Sequence, residues 1–170
     1  MPETSIENAI RETLSADAQN NALAFVAHLR THDAQFERGA GYWSDKRYWM
    51  VKHSGEYLCF MLINGSGGLM HKDEPEGWII WSDDTGKVEW FANYPLDEHT
   101  KAIAWANVDY CGHCGGRCDG GFHKTIFGKE FDNVCNTTFR FDNPDAEAVE
   151  CAKRLIEIRI NSAISVEQTG

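Results

Sequence analysis

The stretches RYWMVKH (residues 47–53) and EYLCFMLIN (56–64) constrain this chain most, because both alternating sets of side chains in them are large and apolar. Successive side chains of a strand point to opposite faces, so Trp49 and Val51 oppose Tyr48 and Met50, and Leu58 and Phe60 oppose Tyr57 and Met61. A sheet apolar on both faces must be covered on both. Ser54-Gly55 between the two stretches predicts a hairpin. WIIWSD and KVEWFA, separated by Asp84, Thr85 and Gly86, predict a second one. Farther on, KTIFGKEF predicts a turn at Gly128-Lys129, and CNTTFRFD a strand with Phe139 and Phe141 on one face.

Helices are the natural cover for such a sheet. Thr4 followed by Glu7 forms a possible capping box for a short helix, and Ser15 can cap a second, in which Ala22, Phe25, Val26 and Leu29 follow helical spacing. LDEHTKAIAWANV predicts a helix capped by Asp97. A last helix is expected after Asn143 as cap and Pro144 as first helical residue, with Val149, Ala152, Leu155, Ile156 and Ile160 forming its buried stripe. The loop NGSGGLMHKDEPEG (64–77) fits no phosphate-binding pattern and reads as a connector. These signals add up to a single α+β domain over residues 1–170: a mainly antiparallel sheet with amino-terminal helices and a carboxy-terminal helix packed on it.

A chain of 170 residues buries enough surface to need no cysteines as staples, yet DYCGHCGGRCDGG (109–121) concentrates three of them. Cys111 and Cys114 have the spacing that lets one turn present two thiolates to one ion, and the glycines around them permit tight wrapping toward Cys118. Cys135, at the start of the later strand, is the expected fourth ligand, with His113 the competitor for that position. The expectation is a structural zinc site in a knuckle spanning about residues 109–136, ahead of an iron–sulfur cluster, free thiols or a regulatory disulfide. Arg117, His123 and Lys124 could offset the charge of four thiolates. Cys59 and Cys151 fall in apolar surroundings and read as small core residues.

Tyr42, Trp43, Trp49, Trp78, Trp81 and Trp90 lie in or beside the predicted strands. Core filling explains them, and rings on both faces of a sheet would also line an apolar ligand pocket. His53, Glu56, Asp83, Asp84 and His99 sit at turns or in a helix's first turn and need no catalytic explanation. A net charge of -10, with no basic run against it, disfavours nucleic acid as a partner. No stretch reads as a signal peptide or a membrane span, so a cytoplasmic protein is expected.

CGHCGGRC, KTIFGKEFDNVC and FDNPDAEAVECAKRLIEIR, with GYWSDKRYWMVK and GWIIWSDD upstream, resemble an uncharacterised family of small bacterial proteins carrying a C-x2-C-x3-C knuckle and a distal cysteine. The resemblance implies no catalytic residue. The functional expectation is a non-enzymatic, zinc-stabilised binding or regulatory protein that recognises a small apolar ligand or a protein partner. The alternative is a thiol-dependent enzyme or redox sensor using Cys118 or a neighbour, with His113 or His123 as base.

Overall fold

Ser5 starts the first helix, α1 (Ile6–Thr13): its hydroxyl accepts the Asn8 N–H at 3.3 Å. The cap is thus one residue later than Thr4, and Glu7 reaches instead across to Arg30, whose Nε donates to it at 3.0 Å. Arg30 belongs to α2 (Ala16–Thr31), which buries Ala22, Phe25, Val26 and Leu29 as their spacing predicts. Asp97 caps α3 (Glu98–Ala106), accepting the Thr100 N–H at 2.8 Å. The last helix, α4 (Ala146–Gln168), begins later than expected, because Asp145 Oδ1 takes the capping bond from the Ala148 N–H at 2.8 Å. Asn143 has another task. Its Oδ1 accepts the Trp78 N–H and its own N–H donates to the Trp78 carbonyl, both at 2.8 Å.

The computed structural model describes residues 4–39, 48–63, 77–82, 90–112 and 121–168, with side chains through residue 162. Its strands are β1 (Gln35–Arg38), β2 (Tyr48–His53), β3 (Glu56–Ile63), β4 (Trp78–Ser82), β5 (Val108–Tyr110), β6 (Phe122–Ile126) and β7 (Lys129–Asp142). They form one sheet in the order β1-β2-β3-β4-β7-β5, with β6 also on β7, and every pairing is antiparallel. Ser54 and Gly55 turn the β2–β3 hairpin with φ of 49° and 83°, the left-handed pair a two-residue turn requires. The β6–β7 turn uses Phe127 and Gly128, at 47° and 82°, one residue before the expected pair. The expected strand KVEWFA is not one in its described part: Trp90–Ala92 form a turn and bend, and residues 83–89 lie outside the described residues. Phe91 and Ala92 instead accept the N–H groups of Phe127 and Gly128 at 2.7 and 2.8 Å, bracing the β6–β7 turn.

The register sorts the two faces of the sheet. Trp49, Met61, Ile80 and Phe141 pair across β2, β3, β4 and β7, and all four are buried in the core that holds the inward residues of the helices. Trp78 is fully buried there, with its ring 6.4 Å from that of Phe25. The next row, Met50, Phe60, Trp81 and Arg140, points the other way and is only half-buried. Tyr48 stacks on Phe60 in this outer row, with ring centroids 5.6 Å apart. No helix among the described residues is long and apolar enough to cross a membrane.

Candidate functional site

The strand β7 runs through the region where the cysteines were expected to converge. It pairs with β5 at Tyr110–Val134, and the pairing continues as the Cys111 N–H donates to the Asn133 carbonyl at 2.8 Å. Cys135 follows Val134 at the start of the stretch of β7 where the register with β5 shifts, Val108 being paired with Phe139. Cys111 and Cys135 are both half-buried. Asn133, at φ 59°, bends the strand between them. Cys114, Cys118, His113 and Arg117 lie outside the described residues. Of the four expected ligands, Cys111 thus follows the end of β5 and Cys135 lies on the neighbouring β7.

Lys124 sits beside Cys135. Its Nζ donates to the Cys135 carbonyl at 3.0 Å, the Asn136 carbonyl at 3.2 Å and the Thr138 hydroxyl at 2.6 Å. Those three acceptors are the irregular part of β7, where Thr138 is buried with φ of 61°, a conformation that β-branched residues rarely adopt. His123 is engaged elsewhere: Nδ1 lies 2.6 Å from Asp132 and Nε2 3.5 Å from Glu130. The hydrogen bond to Asp132 leads the effects that raise its pKa above the usual imidazole range. Both ring nitrogens face carboxylates, so His123 is poorly disposed to take a proton from a thiol. Cys59 and Cys151 are buried as expected, and burial pushes the Cys151 thiol up to about 12, which leaves it unreactive at neutral pH.

The aromatic residues divide between the two faces. Trp49, Trp78 and Trp90 are only 3%, 0% and 6% exposed and belong to the core, which leaves their rings no open concavity to line. Trp81 lies in the half-buried outer row, where the Arg140 guanidinium stands over its ring at 5.5 Å. Tyr42 and Trp43 lie outside the described residues. Arg140 also lines an open, largely polar cleft of about 450 Å³ at the β5 edge with Asn107, Asp109, Tyr110 and Asp142. Of this surface the sequence reasoning had singled out only Trp81. The alternation in RYWMVKH and EYLCFMLIN carried the signal for Tyr48, Met50 and Phe60, but not which face the helices would take.

A second constellation went unread. His28 and His32 stand one helical turn apart near the end of α2, and Glu157 faces them from α4, with the candidate ligand atoms of all three within 4.8 Å of one another. His28 Nε2 lies 3.6 Å from Glu157 Oε1, too far for a hydrogen bond. Burial first, then the neighbouring His32, pull the His28 pKa below the usual imidazole value, so at neutral pH this is a neutral ring beside a carboxylate and not an ion pair. The H-x3-H spacing was visible in the sequence; the carboxylate 125 positions away was not.

Compared with known proteins, the chain matches no family model, no curated protein and no solved structure.

Proposed function

We propose that this chain is a non-enzymatic, zinc-stabilised binding protein. Cys111, Cys114, Cys118 and Cys135 would hold a structural zinc ion that ties the glycine-rich segment to β7, and the outer sheet row would receive a small apolar ligand. The observation that carries the proposal is the two-faced sheet: helices and core take Trp49, Met61, Ile80 and Phe141, while Met50, Phe60 and Trp81 form a half-buried apolar row that ends at Arg140, a residue that also lines a cleft. Small-molecule sites combine apolar side chains with a few polar groups that fix orientation, and here the row offers the first and Asn107, Asp109 and Arg140 of the cleft the second. Support for the metal comes from the Cys111–Asn133 backbone bond, which lays the end of β5 along the part of β7 that leads to Cys135, and from the Lys124 ammonium at the Cys135 carbonyl.

A protein partner is the second reading, favoured by Tyr110 and Phe122. These two rings are 54% and 37% exposed and flank Val134 from either side of β7, next to the knuckle. Thiol chemistry has less support, since His123 is occupied by two carboxylates.

The test has two arms. Protein purified without chelator should contain one cysteine-bound zinc that is lost in Cys135→Ser and kept in Cys59→Ala. The apolar fluorophore anilinonaphthalene sulfonate should bind the folded protein, and about tenfold more weakly after Trp81→Ala, the loss expected when one aromatic contact of ~1–1.5 kcal/mol is removed. Zinc content indifferent to Cys135 would remove the metal from the proposal. Fluorophore binding indifferent to Trp81 would remove the ligand surface.

A further inference from the structure

We propose that His28, His32 and Glu157 form a site for a divalent transition-metal ion that clamps α2 to α4 and leaves one coordination position open. Helical side chains four residues apart lie on one face, which is why two imidazoles at this spacing can share an ion. Here their ring centroids are 4.8 Å apart. Glu157 Oε1 stands 3.6 Å from His28 Nε2. Donors held at about 2.0–2.1 Å on a tetrahedral ion are about 3.3 Å apart, so small side-chain adjustments close the site.

The surroundings are those of a metal site. His28 Nε2 is shut off from solvent and has no hydrogen-bond partner, although a buried polar atom normally finds one. Metal sites hold their ligands in place with outer hydrogen bonds. Glu157 is oriented in the same way, with its second oxygen accepting from Arg154 at 3.1 Å. The remaining charge nearby is spoken for, since Lys153 pairs with Glu150 at 2.6 Å. An ion placed among the three would satisfy the orphaned nitrogen and replace an unproductive contact with the carboxylate.

The donor set selects the metal class. Two imidazoles and one carboxylate suit zinc, nickel or copper over magnesium or calcium, which take oxygen donors. Three protein ligands leave the fourth tetrahedral position to water or to a small anion, the pattern of sites that bind or activate a ligand and not of closed structural centres. This site shares no residue with the cysteine cluster, so each stands or fails alone.

Zinc titration of the intact protein, followed through the imidazole nitrogen resonances and thermal melting, tests the proposal. The His28 and His32 resonances should shift together while those of His53 and His99 stay in place. The melting temperature should rise with added zinc. In His32→Ala and Glu157→Gln, two half-buried positions chosen to spare the core, binding read at His28 should weaken at least about tenfold, and cysteine-bound zinc should be unaffected. Resonances of His28 and His32 that stay still at millimolar zinc would overturn the proposal, and so would an affinity unchanged in both variants. Should either variant unfold, the wild-type resonances alone decide.

Discussion

Asn143 shows how one residue's conformation can hold two elements together. Its φ of 45° is left-handed, where asparagine is tolerated far better than most residues, and this twist lets its backbone and side chain both bond the peptide groups of Trp78. Gly77 permits the approach: a β-carbon there would come within 3.1 Å of Asn143 Oδ1. Asn143→Ala loses the acceptor for a partly buried N–H, about 1–3 kcal/mol, and adds the left-handed cost of an alanine, about 1 kcal/mol. Asn143→Gly loses the same acceptor without that strain. In urea denaturation both variants should be destabilised, alanine more than glycine by about 1 kcal/mol. Equal midpoints would mean that the twist at 143 costs nothing, and the account of the latch would be wrong.

At the scale of elements, β7 is the spine: β4, β5 and β6 all pair with it, and its bulged stretch is held by Lys124. Lys124→Met keeps the aliphatic stem but leaves two backbone carbonyls and a buried threonine hydroxyl without their donor, at about 1–3 kcal/mol. Amide exchange should accelerate across residues 122–138 and stay unchanged in β2–β3, which β4 separates from β7. Uniform acceleration through the whole sheet would show instead that Lys124 serves global stability. The same stretch explains where sequence reasoning stops. Long periodic segments such as 16–31 and the Ser54-Gly55 hairpin were legible because local spacing and turn chemistry determine them. Four-residue β1 and three-residue β5 exist only through their partners and have no period to read. The helix starts at Ser5 and Asp145 were displaced because the expected caps, Thr4 and Asn143, compete with neighbours equally suited to the task, and tertiary bonds such as Asn143–Trp78 decide between them.

Across the whole molecule, strand alternation foretold two apolar faces, and long-range packing decided which residues went under the helices. The cysteine cluster stands out as a motif because three of its members fall between positions 111 and 118. The imidazole–carboxylate cluster does not, since α2 and α4 meet only in the folded chain. This division of the sheet predicts opposite consequences for two tryptophans three positions apart. Trp78 is fully buried beneath the helices, and Trp78→Ala should cost about 3–5 kcal/mol through lost burial and a residual cavity. Its indole N–H has no partner among the described protein groups, so Trp78→Phe gives up volume but also removes a buried unpaired donor, and should cost no more than about 1.5 kcal/mol. Trp81 lies half-buried in the outer row under Arg140, and Trp81→Ala should cost about 1 kcal/mol, mostly the ring's contact with the guanidinium. Equilibrium unfolding of the three variants checks the ranking. A Trp81→Ala loss as large as that of Trp78→Ala would mean that the outer row is a second core, closed to any ligand; a small loss leaves that row's aromatic surface free for recognition at little cost to the fold.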